Sequence, residues 1–179
     1  MRICVLSYPV SFNLTPIDNL LRILRSISPD IHCIFGKYEY DHYRHDKSLI
    51  CHYISNTVYS NGILRILNYL YMQIQFAKKM YIFKDDVDTY LFFIGGDTLL
   101  LPIILSKLLN KKTILLVAGS SINTHQMNQD KLTTGLKILR SPCLSLLDNI
   151  IVYTPTLIYD YHLEPYRHKI LIAHEHFLD

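Results

Sequence analysis

With 179 residues, half of them apolar, the chain suits one large domain with a sizeable core. The formal charge of +3 is mild and its basic residues (Arg22, Arg25, Lys78, Lys79, Lys111, Lys112, Lys131, Lys137) are scattered; a nucleic-acid partner would call for a clustered basic stripe. The longest apolar stretch, residues 99–109, is broken by Pro102, Ser106 and Lys107 and falls short of the roughly 20 residues that a membrane span needs.

Four cysteines (Cys4, Cys33, Cys51, Cys143) show neither metal-ligand spacing nor a C-x-x-C pair. Three of them sit inside apolar segments, where free cysteine behaves as a small hydrophobe, so a reducing compartment is expected. The opening MRICVLSYPV has too short an apolar run for a signal peptide and reads as a strand. The expected location is cytoplasmic.

Short apolar runs alternate with helical patterns, the signature of βαβ units and a parallel sheet. Residues 3–6 form a first strand, buried on both faces because apolarity does not alternate. Thr15-Pro16 reads as a capping residue with proline at the first helical position. Ile17, Leu20, Leu21, Leu24 and Ile27 make that helix's core stripe, and Pro29 ends it. Residues 31–35 are the second strand, closed by Gly36, and the polar segment KYEYDHYRHDKS over 37–48 reads as an exposed loop. Residues 49–54 give a third strand. A long helix over 61–80 follows, with Ile63, Leu67, Leu70, Ile74 and Ala77 as its expected core face and Arg65, Asn68, Gln75 and Lys79 opposite.

Residues 90–94 form a fourth strand, ending at Gly95-Gly96-Asp97 before a helix over 101–110. Asn110-Lys111-Lys112 turns into a fifth strand over 113–117, which ends at Gly119-Ser120-Ser121. Helical residues 131–140 come next, and Ser141-Pro142 reads as a second cap restarting a short helix to Leu147. A sixth strand over 149–153, a helix capped by Thr154-Pro155 and a last strand over 169–173 complete the pattern. The expected architecture is α/β: a single Rossmann-like domain, with a mainly parallel sheet of about six to seven strands and helices on both faces.

In an open parallel sheet, ligands bind beyond the carboxyl ends of the strands where the strand order switches. The candidate loops are therefore residues 7–13, 95–97, 119–123 and 154–155. Glycines let a ligand approach the backbone closely, hydroxyls donate or accept, and Gly95-Gly96 before a helix could offer N–H groups to an anion. The plain alternative is a strand-to-helix turn with Asp97 or Thr98 as cap. Neither G-x-G-x-x-G nor a lysine-bearing phosphate loop is present, so no dinucleotide or nucleoside triphosphate is expected in the usual manner. His174, Glu175, His176 and Asp179 cluster, and His42 and His45 flank Arg44, but three well-placed ligands are lacking and no metal is expected. Ser120 and Ser121 lack the G-x-S-x-G context of a hydrolase nucleophile. His125 and Asp130, downstream, suit a base or sugar-hydroxyl ligand or plain loop decoration.

The stretch DTYLFFIGGDTLLLPIILSKLLNKKTILLVAGS resembles the middle of the N-terminal domain of family 4 glycosyltransferases of the GT-B fold. There a strand ends in a small polar loop, a helix with an early proline follows, then a lysine-bearing turn and a further strand. LLDNIIVYTPTLIYDYHLEPYRHKILIAHEHFLD is similar to the passage leading to that family's interdomain crossover. Three departures stand out. Residues 8–13 replace a glycine-rich loop, Ala118 stands where a histidine is common, and His174-Glu175-His176 replaces an asparagine-glycine step.

The resemblance implies a retaining glycosyltransferase in which this chain is the N-terminal, acceptor-side domain over residues 1–173, with 174–179 beginning the linker to a C-terminal donor domain that the chain lacks. It implies a nucleotide-sugar donor gripped mainly by that missing domain, a glycan or lipid-linked acceptor, and no cofactor. The substrate-binding candidates are Gly95, Gly96, Asp97, Gly119, Ser120, Ser121 and Thr154; no catalytic residue is assigned. Lipid-linked acceptors bring in peripheral contact with the inner face of the membrane, for which Tyr69, Tyr71, Met72, Lys78, Lys79 and Tyr81 form a basic-aromatic candidate face. The alternative is a standalone, non-catalytic flavodoxin-like or Rossmann-like binding module.

Overall fold

The computed structural model describes residues 1–8, 13–57, 59–117 and 132–173. Seven strands, β1 (Ile3–Leu6), β2 (Ile31–Phe35), β3 (Leu49–Tyr53), β4 (Thr89–Phe92), β5 (Lys112–Val117), β6 (Asn149–Val152) and β7 (Ile170–Ile172), pair in parallel in the order β3-β2-β1-β4-β5-β6-β7. Register runs from Ile3 against Ile31 on one side of β1 and against Thr89 on the other. Every residue of β1, β2 and β4 is buried, which is what their unbroken apolar runs require.

The strand pleat divides the core into two. Cys4, Leu6, Ile34, Tyr90, Phe92 and Leu115 face one cluster; Ile3, Val5, Cys33, Phe35, Leu91 and Phe93 face the other. The first is covered by α3 (Gly62–Ile82), α4 (Leu100–Leu108) and α5 (Leu132–Leu146), the second by α1 (Thr15–Ile27) and α2 (Lys37–Tyr43). A short α6 (Thr156–Asp160) and a 3-10 turn (Glu164–Lys169) lead into β7. No helix among the described residues is long and apolar enough to cross a membrane.

Several local expectations are corrected. Residues 37–43 are helical, because Glu39 and Tyr43 bury on one side of α2 at helical spacing. Tyr43 stacks obliquely on Phe35 with ring centroids 5.4 Å apart and donates to Asp18 Oδ1 at 2.6 Å, so its polar atom is satisfied within the core. Thr15 does not cap α1; its N–H donates to Asn13 Oδ1 at 3.0 Å, and the proline occupies the first turn as expected. Ile27, at the frayed end of that helix, is 54% exposed rather than core. Thr154 makes no side-chain cap either: its carbonyl accepts the Leu157 N–H at 3.2 Å. α5 runs straight through Pro142, with no second cap. Ile138, Ser141 and Pro142 all lie on the helix's exposed side, where water can take the carbonyl that proline leaves without a donor.

The largest correction concerns α3. Its buried face is Tyr69, Met72, Gln73, Phe76 and Met80, whereas Ile63, Leu67, Leu70 and Ile74, the expected core stripe, face outward. The helix is apolar on both sides, so periodicity cannot choose between them. The side with polar anchors wins. Tyr69 Oη donates to the Thr98 carbonyl at 2.7 Å and Gln73 Oε1 accepts the Leu101 N–H at 2.9 Å, tying α3 to the start of α4. Burial of Tyr69 and Met72 also dissolves the expected basic-aromatic face, leaving Tyr71, Lys78 and Tyr81 of that set on the exposed surface.

Candidate functional site

The strand order reverses at β1, whose neighbours are β2 and β4, and the crevice beyond the carboxyl ends of β1 and β4 is the topological switch point. Its floor is a backbone weave. The Phe93 N–H donates to the Leu6 carbonyl at 2.9 Å and the Tyr8 N–H to the Ile94 carbonyl at 2.8 Å, extending the β1–β4 pairing past both strands.

Gly95 sits there in the left-handed region, with φ of 68°. A Cβ at this position would lie 2.7 Å from Tyr8 Cβ, so the glycine serves both the turn and the close packing of Tyr8. At Gly96 a Cβ would lie 2.6 Å from Phe92 Cβ. Both glycines are buried, and the Gly96 N–H already donates to the Phe93 carbonyl at 2.8 Å. Thr98 closes the turn: its hydroxyl donates to the Gly95 carbonyl at 3.1 Å.

Asp97, next in the chain, is buried and paired with Arg140 of α5, Nε to Oδ2 at 3.1 Å, with side-chain exposures of 9% and 15%. Arg140 Nη2 also donates to the Tyr161 carbonyl at 2.7 Å. One guanidinium thus joins the end of β4, helix α5 and the segment after α6. The recess between them, lined by Phe93, Asp97, Val117, Arg140 and Tyr161 among others, measures about 10 Å³, the room of one water molecule. Asp97 is therefore built into the crevice wall.

Of the expected site residues, Gly95, Gly96 and Asp97 come together at the switch point. Thr154 lies exposed beyond the carboxyl end of β6, on the same edge of the sheet. Gly119, Ser120 and Ser121, with Ala118, His125 and Asp130, lie outside the described residues, as does the 174–179 cluster. Tyr8, Arg140 and Tyr161 were missed. Nothing local could mark Arg140, which stands 43 positions from its carboxylate partner.

A second concavity, of about 500 Å³, opens toward the amino ends of the strands and is lined by Arg2, Asp30, His32, Ile50, His52, Ile82, Phe83 and Asp86. His32 Nδ1 and His52 Nε2 are 3.2 Å apart; the His52 ring stacks on Phe83 at 4.3 Å between centroids, and the His32 ring lies tilted against it at 4.9 Å. Burial holds both imidazoles below their ordinary pKa; for His52, with the neighbouring His32 and Lys79 adding to burial, the value falls to about 4. The pair is thus neutral at pH 7, one ring donating and the other accepting. At its rim Arg2 binds Asp88 through its side chain at 3.0 Å and its backbone N–H at 2.9 Å, holding that carboxyl down at about 2. Register explains the histidine pair: His32 pairs with Ile50 and His52 with Ile34, which puts the two rings diagonally on one face. Among the described residues no group of three or more His, Cys, Asp or Glu is arranged to hold a metal ion.

No protein-family model matches the chain, and no curated protein matches its sequence. Solved structures do match its fold. The UDP-GlcNAc 2-epimerase of Methanocaldococcus jannaschii superposes with a TM-score of 0.63 at 14% identity, over 96% of this chain and 45% of that one. LpCGTa in complex with UDP gives 0.65 at 10% identity, over 99% of this chain and 55% of that one. Arabidopsis thaliana UGT89C1 complexed with UDP-L-rhamnose gives 0.64 at 10%, over 96% and 51%. At such identities the likeness establishes the fold alone: a Rossmann-like α/β domain of the kind that forms half of a GT-B glycosyltransferase. The chain spans about half the length of these structures.

Proposed function

We propose that this chain is the acceptor-side lobe of a two-lobed glycosyltransferase, one that transfers a sugar from a nucleotide-sugar donor to a glycan or lipid-linked acceptor bound mainly by this domain. The observation that carries the reading is a switch-point edge whose turn is built on two buried glycines, in a domain about half as long as the solved structures sharing its fold, two of which hold UDP or a UDP-sugar. The finer assignment, to the retaining family 4 enzymes, rests on the two sequence stretches that resemble them. In this reading residues 1–173 are the lobe, 174–179 begin the crossover, and a second lobe grips the donor.

The roles follow from the geometry. Gly95 and Gly96 let the turn pack directly on Tyr8 and Phe92, so in this proposal they set the shape of the edge that an acceptor meets rather than touching it through open backbone. Asp97 and Arg140 fix that edge as a buried pair rather than reaching into the crevice. We therefore assign this lobe the positioning of an acceptor hydroxyl, worth much of a barrier when two reactants must meet in one geometry, and not proton transfer. Thr154 lies on the same edge, and Gly119, Ser120 and Ser121, which follow β5 in sequence, are proposed as further acceptor contacts.

The test is an amide-resolved NMR titration of the chain with glycans, lipid-linked sugar analogues and nucleotide-sugars. Acceptor mimics should shift Tyr8, Gly95, Gly96, Thr98 and Thr154, and Gly95→Val, which drives a branched side chain into Tyr8, should abolish those shifts. A standalone binding module would answer to a flavin or nucleotide and to no sugar. Silence from every sugar at this edge would end the proposal.

A further inference from the structure

Two of the four cysteines face each other across the sheet. Strand register sets Cys33 of β2 opposite Cys51 of β3, and residues paired in this way on neighbouring parallel strands turn their side chains to one face. Both belong to the side covered by α1 and α2, whereas Cys4 and Cys143 lie in the opposite core cluster. The Cys33 thiol donates to the Cys51 sulfur, so the two groups are in direct contact. Their access to solvent differs. Cys33, like Cys4 and Cys143, has no exposure; Cys51 is half-buried on β3, the terminal strand of the seven. Donation from Cys33 holds the Cys51 thiol below its ordinary pKa, while burial pushes Cys33 up. Cys51 thus has the reach and the thiolate character of an attacking group, and Cys33 is placed to resolve what it forms.

We propose that Cys33 and Cys51 are a reversible oxidation site, closed to a disulfide by a peroxide and reopened by a small thiol. The Cys51 thiolate attacks one oxygen of the peroxide: an S–O bond forms, the O–O bond breaks, and the departing hydroxide takes a proton to become water. Cys33 then attacks the Cys51 sulfur. An S–S bond forms, the S–O bond breaks, and the Cys33 thiol proton leaves with the oxygen as a second water, so both sulfurs are oxidised and the peroxide is reduced. A thiol in excess reverses the bond by exchange through a mixed disulfide, and is itself oxidised to its own disulfide. Strand geometry allows the bond without making it relaxed. Neighbouring strands lie about 4.8 Å apart, within the Cα range of a disulfide, but the Cβ atoms of a relaxed bridge are closer, at roughly 3.8 Å. Closure therefore draws β3 inward, which its place at the end of the sheet permits, and the strain keeps the bond open to reduction. Such a labile bond suits a reducing compartment, where disulfides are transient. The inference stands apart from sugar transfer, because no residue of the switch-point edge enters it.

The test treats the native chain with hydrogen peroxide, alkylates the thiols that remain after denaturation, and digests with trypsin without reductant for mass spectrometry. Two of the four thiols should be lost to alkylation. Peptides 26–37 and 48–65, which carry Cys33 and Cys51, should appear joined and lighter by two hydrogens, with Cys4 and Cys143 alkylated. Reduced glutathione, added before digestion, should restore all four thiols. Cys33→Ala should halt the reaction at a sulfenic acid on Cys51, trapped by dimedone. Should that core truncation unsettle the fold, Cys51→Ala, at the half-buried edge position, asks the same question from the other side: peroxide should then leave every remaining thiol unoxidised. A bridge to Cys4 or Cys143, a link between two chains, no link between the two peptides, or a bond that glutathione leaves intact would overturn the proposal. So would oxidation of Cys33 that persists in Cys51→Ala.

Discussion

Replacing Arg140 by Leu is the sharpest probe of the crevice wall. The Asp97–Arg140 pair is 9% and 15% exposed at its side chains, with Nε to Oδ2 at 3.1 Å and a second donor spent on the Tyr161 carbonyl at 2.7 Å. Removing the guanidinium leaves a carboxylate in a recess too small for more than one water. Breaking such a pair costs about 3–5 kcal/mol, and the lower end applies where a water can enter. For a chain of this length about 3 kcal/mol is a fall of roughly 6–12 °C in melting temperature. Urea unfolding followed by circular dichroism measures it directly. Asp97→Leu together with Arg140→Leu removes both charges and should lose less than the two single changes summed, with a coupling of about 1–3 kcal/mol. A loss below about 1 kcal/mol for Arg140→Leu, or strict additivity in the cycle, would mean that the pair is a solvated surface contact and that the wall argument fails.

The histidine pair makes stability depend on pH. His52 has a native pKa of about 4 against an unfolded value of 6.5, so its contribution is intact above 6.5 and is lost as pH falls from 6.5 toward 4. Allowing for its partial exposure, the loss should be about 1–2 kcal/mol across that window. His52→Gln should flatten the urea midpoint between pH 6.5 and 4.5; an unchanged slope would show that the imidazole is solvated. The two sides of α3 should also separate cleanly. Phe76→Ala, at a position with no exposure, should cost about 3–5 kcal/mol, and Ile74→Ala, at 54% exposure, less than about 0.5. Comparable losses at the two sites would mean that the helix is turned the other way.

The strands were legible because those at the sheet centre, β1, β2 and β4, are buried on both faces and so read as unbroken apolar runs. What escaped is physical rather than accidental. The hydrophobic pattern of α3 fits two orientations, and the hydrogen bonds that decide between them, from Tyr69 to Thr98 and from Leu101 to Gln73, join positions 29 and 28 residues apart. Helix α2 hid behind a polar composition because its buried residues are a glutamate and a tyrosine. At the candidate site, Gly95-Gly96-Asp97 stood out as a turn after a strand. That Asp97 is held by an arginine on a later helix depends on tertiary packing alone. The histidines that drew attention by density, His42, His45, His174 and His176, are not the pair brought into contact; His32 and His52 are, through strand register.

The central claim is that this fold serves sugar transfer from a nucleotide-sugar. The whole protein, with any sequence that extends this chain, should be assayed for transfer of radiolabelled sugar from a panel of nucleotide-sugars to glycan and lipid-linked acceptors. Acceptor-dependent transfer from at least one donor is expected, falling at least roughly a hundredfold in Gly95→Val through lost acceptor positioning. No transfer from any donor, or transfer that Gly95→Val leaves untouched, would contradict it.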